Sequence, residues 1–242
     1  MKTKTTYLQK TKALTVVAMF CAMSFVVSAI LPIKVMFLTL DFKDAISTIC
    51  GMFFGPAAGL VCAFTVPFIE VTYSETGFYG LVMNIISSAT LVGISSAIYK
   101  YKKTISGAII GLVTAAAATM GIMTLANILI TPFYLELKMG MDLEVARATV
   151  KTLLPTTIIP FNIVKSILNA SIAMLLYKPI SRMLKKIGLT SSKKAVANME
   201  EEIDEVIIKK NKMRSALVTV VSAAIIVAAF IVVFVVLGGT FT

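Results

Sequence analysis

The segment LLPTTIIPFNIVKSILNASIAMLLY, residues 153–177, decides the fold class of this chain. Lys165 is the one charged side chain in it. A helix of about 20 apolar residues is long enough to cross the hydrocarbon core of a bilayer. Four more apolar stretches of this kind lie at 13–32, 78–98, 105–133 and 216–238. The pattern therefore predicts an all-α integral membrane protein.

Residues 44–70 are also apolar, but Gly55-Pro56 interrupts them. Each half is short, since Ala45–Phe54 would make about 15 Å of helix. Two short tilted helices and a re-entrant hairpin both fit this pattern, and we favour two helices. In either case the chain returns to the side of the membrane that it left.

These stretches predict a six-helix membrane core in residues 1–188, followed by a charged cytoplasmic linker, 189–214. An additional C-terminal transmembrane helix, 215–242, completes the chain. That last span is rich in Val, Ile and Ala. A helix that is apolar all round is compatible with lipid on most sides, so we interpret it as an anchor or accessory helix.

The distribution of basic residues predicts the orientation. With the N-terminus in the cytoplasm, most of the 23 lysine and arginine residues fall in cytoplasmic segments. This asymmetry is typical of membrane proteins, and it places the C-terminus outside the cell. The net charge of +11 is thereby explained by basic residues beside anionic lipid, without a nucleic-acid partner. We expect a multi-pass protein of the plasma membrane with a retained first helix.

The sequence lacks the common catalytic and metal-binding patterns of enzymes. The chain has no histidine, the commonest general base and metal ligand. Its three cysteines lie in apolar stretches without metal-binding spacing, and no GxxxxGK[ST] phosphate loop occurs. We therefore expect no catalytic residue, no metal site and no cofactor. Uphill transport would need energy from a partner or an ion gradient.

The first candidate site lies in the span 153–177. Asn162, Lys165 and Asn169 are spaced so that they share one face of a helix. Polar groups inside a bilayer are costly, which favours a functional interpretation, namely one wall of an internal cavity. The alternative is hydrogen bonding between helices.

The second candidate site lies at the end of the span 105–133. Thr124 and Asn127 lie one turn apart, and Thr131 and Tyr134 follow. They predict an opposing wall of the same cavity, or else interhelical packing.

Two outer segments carry further polar residues. The segment Thr39–Asp44 mixes apolar and charged side chains, as either a lid over a pocket or an interfacial loop would. Farther along, the glycine-containing turn 76–80 leads to Asn84. Glu70 and Glu75 flank that turn, and we interpret them as solvated loop acids.

Several of these segments, in their order and spacing, resemble one known family. They include Leu40-Asp41-Phe42-Lys43-Asp44, Gly55-Pro56-Ala57-Ala58-Gly59, the stretch 127–132 and Pro160-Phe161-Asn162-Ile163-Val164-Lys165. Over about residues 10–188 the chain is similar to the substrate-binding S components of energy-coupling factor (ECF) transporters, most of all to the riboflavin-binding type. The final helix lies outside this resemblance.

The resemblance implies a six-helix core that captures a vitamin from outside the cell. It implies partners, namely a transmembrane coupling protein and two ABC ATPases, with Ala18 and Ala22 of the first helix contacting the coupling protein. It also implies ligand binding by Asn127, Asn162 and Lys165, under a lid formed by Thr39–Asp44. Ser166 and Ile128 depart from the family pattern, where glycine and an aromatic residue are expected.

Riboflavin suits such a site, because its flat apolar rings need apolar walls and its pyrimidine edge and polyhydroxyl tail need a few fixed polar groups. The same groups would suit another small vitamin or heterocycle. A stand-alone secondary carrier is a further alternative, as is a membrane enzyme or scaffold. The predicted binding residues are Thr39, Asp44, Asn84, Thr124, Asn127, Asn162, Lys165 and Asn169.

Overall fold

The computed structural model describes residues 2–186 and 205–241. The helices are α1 (Lys2–Ile30), α2 (Lys43–Phe54), α3 (Pro56–Glu70), α4 (Gly77–Tyr101), α5 (Ile105–Met139), α6 (Leu143–Leu153), α7 (Ile159–Lys186) and α8 (Glu205–Ile231). A π-helical turn, Leu154–Ile158, joins α6 to α7, and another, Val232–Val236, follows α8. The short strands are β1 (Ile33–Val35), β2 (Leu38–Leu40) and β3 (Thr240–Phe241).

Five helical stretches are long and apolar enough to cross a membrane. They are Thr11–Ile30, Gly77–Tyr101, Ile105–Met139, Leu143–Leu184 and Ala216–Val236. Each contains or overlaps one of the five long spans that the sequence predicts. Their outward faces expose large apolar side chains that a bilayer would cover, such as Leu129 and Val235.

The stretch 44–70 folds into two helices, α2 and α3. The chain reverses at Gly55, whose φ of 101° is a conformation that favours glycine. An ion pair between Lys43 and Glu70 holds the start of α2 beside the end of α3, so the chain does return to the side it left. At about 18 and 22 Å, both helices are shorter than the hydrocarbon core of about 30 Å. The count of six spanning helices plus one therefore stays a prediction.

α2 is the central element of the fold. It packs against α1, α3, α4 and α7, and every residue from Lys43 to Met52 is buried. Close approach between α2 and α3 depends on Gly51 and Gly59. A Cβ atom added to Gly59 would lie 2.6 Å from the Cα of Gly51 and 2.7 Å from Cγ1 of Val92. This packing fixes the positions of the charged residues at the start of α2.

The fold is nearly all helical, and the expectation of an all-α protein misses a small sheet. β1 pairs antiparallel with β2, with Ile33 opposite Leu40. β3 pairs antiparallel with the other edge of β1, with Ile33 opposite Phe241. Strands of two or three residues are too short to show an alternating pattern, and β3 comes from the far end of the chain.

The C-terminal helix packs on the core. α8 contacts α7, and Ala229 and Val233 near its end join the apolar cluster around Ile33 and Leu40. These contacts place the C-terminus on the same side of the molecule as the β1–β2 hairpin. Most of the predicted linker 189–214 lies outside the described residues, and from Glu205 onward the chain belongs to α8.

Candidate functional site

A cavity of about 710 Å³ lies between the β1–β2 hairpin and the adjacent ends of α1, α3, α4, α5 and α7. Pockets for small organic ligands are usually about 300–1,000 Å³. Apolar and aromatic side chains form much of the lining, including Phe37, Tyr79, Met83, Met123, Tyr134 and Phe161. The ring of Tyr134 lies 6.1 Å from Phe37 and 6.2 Å from Tyr79, measured between ring centroids. The cavity can therefore enclose a flat apolar group.

Two buried amides contribute to the polar part of the α5 and α7 walls. Nδ2 of Asn127 donates to the carbonyl of Met123 at 2.7 Å, and Nδ2 of Asn162 donates to the carbonyl of Ile158 at 2.9 Å. These bonds to the preceding turn fix both side chains. A primary amide has two N–H donors, so each side chain keeps one for a bound molecule.

Lys165 lies on the same wall as Asn162 and is 7% exposed. Its Nζ donates to the carbonyl of Thr39 at 3.1 Å and lies 3.0 Å from Oδ2 of Asp41. The ammonium group is thus paired inside the protein. It connects α7 to the end of the hairpin that covers the cavity.

A cluster of buried charges surrounds that contact. Nζ of Lys43 lies 3.4 Å from Oδ2 of Asp41 and forms an ion pair with Glu70. Glu70 also accepts hydrogen bonds from Ser28 and, at 3.4 Å, from Asn84. We refer to Asp41, Lys43, Glu70 and Lys165 as the charged cluster. Its members stabilise one another, because a buried charge without a partner is very costly.

Asp41 lies between β2 and α2 and takes part in two of these ion pairs. Burial alone would raise the pKa of its carboxyl, but the ammonium groups of Lys165 and Lys43 outweigh that effect and hold the pKa below its usual value. The carboxyl is therefore ionised at neutral pH and contributes a fixed negative charge to the cavity wall.

Five of the eight predicted binding residues line the cavity. They are Thr39, Asn84, Asn127, Asn162 and Lys165. Those of the five that belong to α5 and α7 thus line the same cavity. Thr131 and Tyr134 line it as well.

The other three predicted residues, Asp44, Thr124 and Asn169, lie outside the cavity lining. Asp44 accepts a hydrogen bond from Ser88, and Thr124 donates to the carbonyl of Met120 in its own helix at 2.8 Å. Asn169 joins α7 to α2, since it accepts from the backbone N–H of Ala45 at 3.0 Å and donates to the carbonyl of Asp41 at 2.9 Å. These positions give the three residues a supporting role.

The interpretation of Glu70 as a solvated acid is wrong, whereas that of Glu75 is confirmed. Glu70 is 6% exposed and paired with Lys43. Glu75 is exposed, and its Oε1 lies 2.8 Å from Nζ of Lys34. Asp41 and Lys43 are cavity-lining residues that the sequence did not indicate individually. The signal for them was three charged residues, Asp41, Lys43 and Asp44, close together at the start of an otherwise largely apolar stretch.

The predicted partner-contact residues lie on the surface. Ala18 and Ala22 are both exposed on α1, one turn apart. Because they are exposed, these two residues are available to lipid or to another helix.

The family assignment follows from these features and from comparison with known proteins. Residues 12–177 match the model of the substrate-specific component of ECF transporters. This match covers well over half of the chain, so the protein belongs to that family. It is a multi-pass membrane protein, and the family is one of transporter components, not of enzymes.

Individual relatives agree with this assignment. The chain is 31% identical over 186 residues to the riboflavin transporter RibU of Staphylococcus aureus (strain TCH60), which covers 74% of this chain and 96% of RibU. A solved structure of the S component of a bacterial ECF transporter matches with a TM-score of 0.59 and 28% identity, over 73% of this chain and 99% of that one. α8 and β3 lie beyond the end of the family match.

Proposed function

We propose that this protein captures riboflavin in the 710 Å³ cavity and delivers it into the cell together with a coupling protein and two ABC ATPases. The observation that supports this most directly is the arrangement of Asn127, Asn162 and Lys165. They come from two helices, line one cavity, and lie in a chain that is 31% identical to a riboflavin transporter.

The chemistry of the lining suits riboflavin. The aromatic and methionine side chains offer apolar contact to a flat ring system. The free N–H groups of the two amides and of Lys165 can donate to the carbonyl oxygens of the pyrimidine edge or to the hydroxyl groups of the tail. Riboflavin itself is the transported ligand in this proposal, and the protein needs no cofactor.

The β1–β2 hairpin is the proposed lid. Lys34 and the residues from Met36 to Thr39 line the cavity, and the turn at Met36 exposes that side chain to solvent or lipid. Lys165 holds the end of the hairpin through the carbonyl of Thr39. We place this side outside the cell and the N-terminus in the cytoplasm, as the distribution of basic residues predicts.

The proposed docking face for the coupling protein is the exposed strip of α1 around Ala18 and Ala22. Small residues allow helices to approach closely in a membrane. The chain has no phosphate-binding loop of its own, so the ATPases would supply the energy for release into the cell.

Purification from cells grown with riboflavin tests the proposal. The detergent-solubilised protein should carry the absorption bands of a flavin. Asn162→Ala should lose most of that signal, because Asn162 lines the cavity. Ser166→Ala is the matched control, since Ser166 is buried on another face of the same helix and should leave the signal unchanged. A colourless protein that binds no riboflavin at micromolar concentration would refute the ligand.

Two further measurements test the alternatives, namely a stand-alone carrier and an S component for another vitamin. Riboflavin uptake that persists in cells lacking the ATPases, and that depends on an ion gradient, would identify a stand-alone carrier. If a different vitamin occupies the site at a lower concentration than riboflavin does, the protein is an S component for that vitamin.

A further inference from the structure

We infer that Asp41 is a ligand-binding and specificity-determining residue, whose Oδ1 atom accepts a hydrogen bond from the imide N–H of the pyrimidine edge. This inference rests on the proposed function, because it assumes that riboflavin occupies the cavity. It adds a negatively charged acceptor to a wall for which the sequence predicts amides and one lysine.

The first observation concerns one carboxylate oxygen of Asp41. Asp41 lines the cavity and is 2% exposed. Within the part of the chain that the structure describes, its Oδ1 atom has no hydrogen-bond partner. Buried polar atoms are nearly always hydrogen-bonded, and a carboxylate oxygen without a donor carries a large desolvation penalty. A donor from a bound ligand would remove that penalty.

The second observation is that the rest of Asp41 is held in place. Its Oδ2 atom is occupied by Lys165 at 3.0 Å and Lys43 at 3.4 Å. Its backbone carbonyl accepts from Asn169 at 2.9 Å. Contacts from α2 and α7 therefore fix the carboxylate before any ligand arrives, which reduces the entropic cost of binding.

Asp41 and Lys165 together form a donor–acceptor pair. An ammonium group has three N–H donors, and Lys165 uses two of them, on Thr39 and Asp41. The third N–H of Lys165 and the free Oδ1 of Asp41 belong to adjacent side chains that both line the cavity. A ligand edge with a carbonyl oxygen next to an N–H matches such a pair. Riboflavin has this edge, in which one imide N–H lies between two carbonyl groups.

The other buried acids do not offer the same group. Both carboxylate oxygens of Glu70 already have partners, Ser28 on one and Lys43 and Asn84 on the other. Asp44 lies outside the cavity lining and accepts from Ser88. Among the described residues, Asp41 is thus the buried acid that combines a place in the lining with a free oxygen.

The test compares riboflavin with 3-methylriboflavin, in which a methyl group replaces the imide hydrogen. The wild-type protein should bind the methylated analogue at least about 100-fold more weakly, because sites built to hydrogen-bond a polar group reject analogues that lack it. Asp41→Asn should bind riboflavin more weakly and should lose most of this discrimination. Glu136→Gln makes the same acid-to-amide change at an exposed residue of α5 outside the cavity lining, and this control should keep the discrimination.

The outcomes separate this inference from the proposed function. Equal binding of the two flavins by the wild type would overturn the role of Asp41 and leave the riboflavin assignment intact. Full discrimination by a folded Asp41→Asn would overturn it too, because the methyl group would then be rejected elsewhere. Failure of the wild type to bind riboflavin at all would refute the proposed function itself.

A measurement on the wild type covers the case in which Asp41→Asn does not fold. The imide proton of riboflavin labelled with ¹⁵N at the imide position should resonate downfield of its position in water, because hydrogen bonds to ionised acceptors are short and strong. A resonance upfield of that position would overturn the inference.

Discussion

Two cavities of the protein share the helices α5 and α7 but differ in the polarity of their linings. The cavity under the hairpin, of about 710 Å³, contains Asn127, Asn162 and Lys165 from α5 and α7. A groove of about 620 Å³ lies between other faces of α5 and α7 and the side of α8. Apart from Ser166, Ser171 and Ser222, its lining residues are apolar. We refer to these two spaces as the polar cavity and the apolar groove.

Neighbouring residues of α7 show how one helix serves both spaces. Asn162 and Lys165 line the polar cavity, whereas Ile163, Ser166 and Ile167 line the apolar groove. Apolar contact in a membrane needs no special arrangement, since lipid chains are equally apolar. Buried amides and charges are costly there and persist where they have partners and a purpose. The difference between the two faces is therefore the strongest structural sign of where a ligand binds.

The largest expected effect comes from removing a charge on the polar face. Lys165→Ala would leave Asp41 with fewer cationic partners, and breaking a buried ion pair typically costs about 3–5 kcal/mol. Loss of a hydrogen bond from a charged group should also weaken riboflavin binding by about 10- to 100-fold. Ile167→Ala on the groove face should cost about 1 kcal/mol and leave affinity unchanged. Thermal unfolding in detergent and flavin titration measure both effects, and equal losses in the two variants would contradict the comparison.

The next prediction compares the stability effects of changing two glutamates that flank the same turn. Glu70→Gln should destabilise the protein by about 3 kcal/mol, because Glu70 is buried in the charged cluster beside Lys43. Glu75→Gln removes an exposed ion pair with Lys34 and should cost less than about 1 kcal/mol. The two variants carry the same chemical change, so their melting temperatures can be compared directly. A larger loss for Glu75→Gln would show that the charged cluster does not stabilise the fold.

A smaller effect is expected at the glycine contact that supports the polar cavity. Gly59→Ala would force apart α2, α3 and Val92, and overpacking of this kind costs about 1–3 kcal/mol. Gly121→Ala on α5 meets no atom within 4 Å and should be neutral or slightly stabilising. A melting temperature for Gly59→Ala that equals that of Gly121→Ala would mean that this close approach is not required.

Much of the fold could be predicted from the sequence because hydropathy is a local property. The long spans and the break at Gly55-Pro56 follow from composition along the chain. The polar wall also follows, since the spacing of Asn162 and Lys165 on a helix determines that they share a face.

The features that could not be predicted from the sequence depend on contacts between residues that are far apart along the chain. Glu70 looks like a loop acid until α2 brings Lys43 beside it, 27 positions away. Asn169 lies on the predicted face, but contacts with Ala45 and Asp41, more than 120 positions away, use its amide as a structural link. β3 exists because the C-terminus meets β1, which no local pattern indicates.

The central claim is that the flavin occupies the polar cavity, and a titration with riboflavin tests it most directly. Ser87 lines that cavity and Ala117 lines the apolar groove, so Ser87→Met and Ala117→Met add bulk to one space each. Quenching of flavin fluorescence should show saturable one-to-one binding by the wild type, unchanged in Ala117→Met and at least about 10-fold weaker in Ser87→Met, a loss of about 1.4 kcal/mol. Weakened binding in Ala117→Met with full binding in Ser87→Met would place the flavin in the groove and contradict the account.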